Sequence, residues 1–166
     1  METVYLGIGG NIGDVIANMD AVIRKLDALE TVDVVAVSPV YKTPPWGIKE
    51  QDWFHNACVM LETGLDPDEL LNECLNIETQ LHRVRDVRWG PRTIDVDILV
   101  FGTRRVQTPN LTIPHPRMLE RDFVLKPLSD IAPNLLLDGV SIRDALKRLK
   151  TEPLEAVDLP VNWWKA

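Results

Sequence analysis

Positive charge is the first thing this chain is short of. Its 18 Lys and Arg face 25 Asp and Glu, a net charge of −7. A general nucleic-acid binder needs a basic footprint, so no nucleic-acid partner is expected. Long apolar runs are missing too: none approaches the roughly 18 residues of a membrane span, so no membrane partner is expected. The opening Met1-Glu2-Thr3 has neither a basic n-region nor an apolar h-region, so no secretory signal is expected and a cytoplasmic location is. Only 2 cysteines occur, Cys58 and Cys74. Their spacing fits neither a disulfide framework nor a metal site, and they read as reduced, buried thiols. His55, His82 and His115 show no zinc spacing. No G-x-x-x-x-G-K-S/T occurs, which excludes a P-loop. No nucleophile elbow or Ser/His pairing appears. The run Gly7 to Gly13 comes close to a dinucleotide fingerprint, but its third glycine is one place late. It is assigned to the geometry of a strand-to-helix turn.

What is present fits one domain, residues 1–166, able to bury about two-thirds of its unfolded surface. Thr3 to Gly9 is apolar and β-prone. Val15, Ile16, Met19, Val22, Ile23, Leu26 and Leu29 then follow helical spacing. Val32 to Tyr41 reads as a second strand and Trp53 to Leu61 as a third, separated by a stiff loop at Lys42-Thr43-Pro44-Pro45-Trp46-Gly47. Asp66-Pro67-Asp68-Glu69 opens a helix with a capping-box-like pattern, which Leu70, Leu71, Cys74, Leu75, Glu78 and Leu81 continue. A strand from Ile94 to Phe101 follows. The order strand, helix, strand, strand, helix, strand predicts an α+β fold, the ferredoxin-like βαββαβ plait. Beyond it come a Pro-rich loop at Thr108 to Pro116, a largely helical stretch from Met118 to Asp130, and a helix from Ser141 to Leu149. The tail, with Trp163 and Trp164, is expected to pack back on the body.

Residues 83 to 98 carry the chemistry. Arg83, Arg85, Arg88 and Arg92 stand immediately before Asp95 and Asp97. Taken singly, a D-x-D is more often a solvated strand face, and an arginine run an exposed helix end. Adjacency changes that balance: Trp89-Gly90-Pro91 turns the chain between the two charge sets, so they can fold onto one site. A strand's period of two puts Asp95 and Asp97 on one face, their backbones roughly 6–7 Å apart. That spacing suits two carboxylates sharing a pair of divalent cations about 4 Å apart. Guanidiniums supply forked donors for phosphate oxygens. The pattern describes a polyphosphate held between arginines and metal, on an otherwise acidic protein. A two-metal phosphohydrolase would use the same groups. Phe54 and Asn56, two apart in a strand, share a face. An amide matches the edge of a pyrimidine-like ring and an aromatic offers stacking, although core packing would also account for both.

At this point Arg88-Trp-Gly-Pro-Arg-Thr-Ile-Asp-Val-Asp-Ile98 resembles the signature of the 6-hydroxymethyl-7,8-dihydropterin pyrophosphokinases. So do residues 5–14, 38–47, 54–57 and 113–128, in the family's order, and the likeness covers roughly residues 3 to 150. The resemblance implies transfer of the β,γ-diphosphate of ATP to the hydroxymethyl group of 6-hydroxymethyl-7,8-dihydropterin, leaving AMP, by a monomer of folate biosynthesis. It further implies that Asp95 and Asp97 ligate two Mg²⁺ ions and that Arg83, Arg92 and Arg121 neutralise the transferring group. Glu78, Arg85, Trp89, Ile98, Thr112 and His115 match positions around ATP. Phe54 and Phe123 match the pterin sandwich, Asn56 its edge, and Thr43, Pro45 and Trp46 the loop that completes its recognition. The chain departs from some relatives in having Phe54 for tyrosine, Trp46 for leucine, and a short Arg85 to Arg88 segment. The loops at 43–52 and 85–93 flank the site and are expected to order with ATP before the pterin binds well.

Overall fold

The structure, a computed structural model, describes residues 1–44, 53–81 and 94–165. Its frame is a long antiparallel sheet. Strand β1 (Glu2–Gly10) leads to helix α1 (Val15–Asp27), then β2 (Val32–Val37), β3 (Tyr41–Thr43), β4 (Phe54–Thr63), helix α2 (Pro67–Leu81) and β5 (Asp95–Phe101). Strand β1 lies between β4 and β5, while β4 pairs with β3 at its start and β2 at its end.

The stretch Val32 to Tyr41, read as one strand, is two. Pro39 has no N–H to give a ladder. Ser38, fully buried, takes over the junction: its Oγ accepts the Cys58 N–H at 2.9 Å, its N–H donates to the Cys58 carbonyl, and its own carbonyl accepts the Trp163 indole N–H at 3.2 Å. The tail therefore packs back as expected, with Trp163 and Trp164 buried in the helix-side core. Helix α1 is capped by Asp14, which accepts from the Ala17 N–H. At the start of α2, Glu69 reaches back to the Asp66 N–H at 2.9 Å, the capping-box bond expected from the sequence.

Beyond β5 come β6 (Val106–Gln107) and β7 (Thr112–Ile113), which pair as a small hairpin; β7 lies inside the Thr108 to Pro116 segment read as a loop, and β6 just before it. Thr108 closes that hairpin by pairing with Leu111 through backbone and hydroxyl. The stretch from Met118 is broken. A 3-10 turn (Met118–Glu120) ends at Arg121, whose extended backbone (φ −118°, ψ 108°) precedes helix α3 (Asp122–Ile131). A second small hairpin, β8 (Leu136–Leu137) with β9 (Val140–Ser141), then leads to α4 (Ile142–Leu149), and β10 (Glu155–Ala156) pairs with β3. Ser141 caps α4 by accepting the Asp144 N–H at 3.1 Å.

The two sheet faces are covered differently. Val4, Leu6 and Ile8 of β1, Ala57, Val59 and Leu61 of β4, and Val96 and Ile98 of β5 pack under α1 and α2. On the other face Cys58, Leu99 and Val100 meet Val124, Leu125 and Leu128 of α3 and Ile142 and Ala145 of α4. Cys58 and Cys74 are free and buried. Among the described residues no helix is long and apolar enough to cross a membrane.

Candidate active site

The sheet face shared with α3 is only partly covered, and the reason is glycine. Along β1 the side chains alternate, so Gly7 and Gly9 point their missing side chains at this face while Leu6 and Ile8 point away. Register then builds two cross-strand rows. One reads Asn56, Gly9, Asp95; the next reads Cys58, Gly7, Asp97. In each row the glycine adds no side chain between the β4 residue and the β5 carboxylate, two strand spacings apart, about 9–10 Å; the Asn56 amide leans over Gly9 and the Leu99 side chain borders Gly7. A cleft of about 220 Å³ lies over this glycine floor.

Of the residues singled out from the sequence, Thr43, Phe54, Asn56, Asp95, Asp97, His115, Arg121 and Phe123 all line this one cleft. Thr43 sits opposite Phe54 in the β3–β4 pairing. Ile98 and Thr112 line an adjoining cavity of about 280 Å³, and Asp97 and His115 belong to both. Glu78 lines neither cavity. Its carboxylate accepts the Val96 N–H at 2.7 Å, gripping β5 between the two aspartates. Arg83, Arg85, Trp89 and Arg92, with the Trp89-Gly90-Pro91 turn, lie outside the described residues, as do Pro45 and Trp46.

His115 owes its place to a β-bulge. Pairing runs Leu6 with Ile98 but Tyr5 with Val100, so Leu99 is an extra residue in β5. A bulge takes a residue out of the ladder, and here the Leu99 carbonyl accepts the His115 N–H at 2.9 Å. His115 Nδ1 accepts the Arg117 N–H at 3.2 Å, so the neutral ring carries its proton on Nε2 as a donor. Burial holds the imidazole below its usual pKa; Asp97 opposes that, while Arg121 and Arg117 reinforce it. Arg121 lies 5.7 Å from the Phe123 ring centroid, and the extended break before α3 lets both reach the cleft.

The strand expected over Thr3 to Gly9 is present and holds Gly7 and Gly9, but it runs on through Gly10, one residue into the stretch assigned to the turn. Gly13 alone of the run has a turn's positive φ, +68°. A Cβ on Gly9 would come 2.7 Å from the His55 carbonyl oxygen and closer still to Asn56 Oδ1, so Gly9 is what permits the Asn56 amide to sit there. The available signal was the i, i+2 spacing: two glycines two apart in a strand clear the same face.

Chemically, the cleft offers an aromatic pair and an amide at one end. Toward β5 it offers two carboxylates and a neutral imidazole donor, and the Arg121 guanidinium lies beside the Phe123 ring. Among the described residues no group of three or more His, Cys, Asp or Glu could enclose a metal. Two hard carboxylates instead suit a cation such as Mg²⁺, which keeps several waters and takes its remaining oxygens from a phosphorylated substrate.

Comparison with known proteins points the same way. The family model described as 7,8-dihydro-6-hydroxymethylpterin-pyrophosphokinase (HPPK) matches residues 5–133. The 2-amino-4-hydroxy-6-hydroxymethyldihydropteridine pyrophosphokinase of Methylorubrum extorquens is 46% identical over 158 residues, covering 95% of this chain and 100% of that protein. The Pseudomonas aeruginosa enzyme of the same name is 40% identical over 156 residues, 93% of this chain and 96% of its own. In structure, Plasmodium falciparum HPPK-DHPS superposes with a TM-score of 0.69 at 15% identity, covering 89% of this chain. That likeness is one of fold, and this chain spans 41% of that longer one.

Proposed function

Because the chain belongs to the 7,8-dihydro-6-hydroxymethylpterin-pyrophosphokinase family, it is an ATP-dependent pyrophosphokinase of folate biosynthesis, and we propose that its two substrates meet over Gly7 and Gly9. The reaction joins the hydroxymethyl oxygen of 6-hydroxymethyl-7,8-dihydropterin to the β-phosphorus of ATP. It breaks the bond from that phosphorus to the α,β-bridging oxygen and releases AMP and a proton.

The reading rests above all on one observation: register sets Asp95 and Asp97 two strands from Phe54 and Asn56, in one cleft with glycines between them. In this account Phe54 and Phe123 hold the pterin ring between them, Asn56 bonds its edge, and Thr43, Pro45 and Trp46 finish the pocket. The polyphosphate crosses from the adjoining cavity, beside Ile98 and Thr112, to the junction at Asp97 and His115. His115 donates from Nε2 to phosphate oxygen, and Arg83, Arg92 and Arg121 neutralise the group in transit. Arg85 and Trp89 belong to the ATP side, and Glu78 supports it by fixing β5. Asp95 and Asp97 would hold Mg²⁺, two ions in this reading. Bound there, the metal would supply charge neutralisation and alignment of phosphate oxygens. Phosphoryl transfer needs alignment and charge neutralisation rather than a covalent intermediate, so the absent nucleophile is no obstacle.

The strand order, with β1 central and α1 and α2 on one face, supports reading the first 101 residues as a ferredoxin-like plait extended by the later helices and hairpins. The chain is read as a single catalytic domain, monomeric and cytoplasmic. Incubation with ATP, Mg²⁺ and the pterin, resolved by mass-detected chromatography, tests the assignment. AMP and pterin diphosphate in equal amounts, abolished by EDTA, are expected. Inorganic phosphate released without pterin modification would instead make the site a phosphohydrolase.

A further inference from the structure

Across the α3–sheet interface from the aromatic pair lies a polar link the reaction itself does not use. Tyr41, on β3, is buried, and its phenol donates to Asp130 Oδ2 on α3. Lys126 Nζ lies 3.4 Å from the other Asp130 oxygen and 5.7 Å from the Tyr41 ring centroid. Burial, with Asp130 alongside, raises the phenol's pKa, so it remains a donor throughout the physiological range.

Placement gives this link its meaning. Tyr41 pairs with Asn56, and two residues on Thr43 pairs with Phe54, so Tyr41 shares the face and neighbourhood of the proposed pterin wall on β4. On α3, Asp130 follows Phe123 by seven residues, about two helical turns, which puts both on one side of the helix. The bond therefore pins the C-terminal end of α3 to β3, about two helical turns from Phe123 and two residues along the ladder from the Thr43–Phe54 pair. Among the described residues, the rest of this interface consists of apolar contacts, from Val124, Leu125 and Leu128, and a long Cys58 Sγ to Val124 carbonyl contact at 3.6 Å. Apolar burial is non-directional and does not set a spacing. A buried, charge-assisted O–H to carboxylate bond does.

We infer that the Tyr41–Asp130 bond sets the separation between Phe54 and Phe123, making Tyr41 and Asp130 positioning residues for the pterin slot. The inference rests on the proposed sandwich of the pterin between those two rings. Loss of the bond lets α3 shift on the sheet and loosens the slot, while the Asp97–His115 end, anchored through β5 and Leu99, keeps its geometry.

The test is calorimetric pterin binding, with an ATP analogue present, beside steady-state kinetics and melting temperature for four variants. Tyr41→Phe keeps the ring and removes only the hydroxyl. It should weaken pterin binding about tenfold, leaving the KM for ATP and kcat at saturating pterin within about twofold. Asp130→Ala should behave likewise, and Asp130→Asn, which still accepts a hydrogen bond, should recover most of the affinity. Phe123→Ala reports on the sandwich itself. Unchanged pterin affinity in Tyr41→Phe, or equal loss for ATP and pterin with a lower melting temperature, would overturn the link while leaving the sandwich intact. Unchanged pterin affinity in Phe123→Ala would overturn the sandwich, and the inference with it.

Discussion

One face of the central sheet is packed and the other is partly open, yet the same three strands make both. In β1, Val4, Leu6 and Ile8 point into the core beneath α1 and α2, while Gly7 and Gly9 face the cleft. In β4 the division is Ala57, Val59 and Leu61 against Phe54, Asn56 and Cys58; in β5 it is Val96 and Ile98 against Asp95 and Asp97. The period-two alternation of a strand thus separates stability from chemistry residue by residue. Substitution on the packed side should cost folding energy with little effect on the reaction, except at Ile98, which also borders the adjoining cavity. Substitution on the open side should do the reverse.

The largest expected effect is on the open side. Asp97→Asn should lower kcat by roughly 10²–10³-fold or more, as loss of a group that organises transition-state charge does. Its melting temperature should match the parent, and pterin binding, followed by calorimetry, should persist. Leu6→Ala is the mirror experiment. Leu6 is fully buried, and a cavity there should remove about 2–5 kcal/mol of stability in urea titration, with KM values unchanged in the protein that remains folded. A drop in kcat as large as that of Asp97→Asn would mean the two faces are not separable.

Smaller effects sharpen the comparison. Asn56→Ala should weaken pterin binding about tenfold and leave ATP binding alone, since a buried polar edge loses its partner. His115 allows a pH test. Because the folded state holds its pKa below the ordinary 6.5, folding favours the neutral ring. That contribution is present above the unfolded pKa and fades as pH falls through the folded value. Between about pH 7 and 5, the parent should lose more melting temperature than His115→Gln. The thiols should give the smallest signal. Burial pushes Cys74 up to about 12 and Cys58 higher still. Neither should react with a disulfide reagent at pH 8 until the protein is unfolded, when both should.

Much of this was legible in the chain. Strand alternation and helical spacing located the principal elements, and the capping pattern at Asp66 to Glu69 marked the start of α2. The shared face of Asp95 and Asp97 followed from spacing alone. What escaped depends on pairing between distant segments. The glycine floor exists only because register aligns Gly9 with both Asn56 and Asp95. The bulge at Leu99 exists only where β5 meets β1, and it is what delivers His115. Pro39 hinted at the break after β2, but Ser38's partners, Cys58 and Trp163, stand 20 and 125 residues away. Local pattern carries the elements; register carries the site.

The most direct test is a crystal structure of the protein with Mg²⁺, a non-hydrolysable ATP analogue and the pterin. The account predicts the pterin ring between Phe54 and Phe123, its edge on Asn56, and the phosphates against Asp95, Asp97 and His115 above the glycine floor. Clear density for either substrate away from that cleft, with Phe54 and Phe123 uncovered, would contradict it.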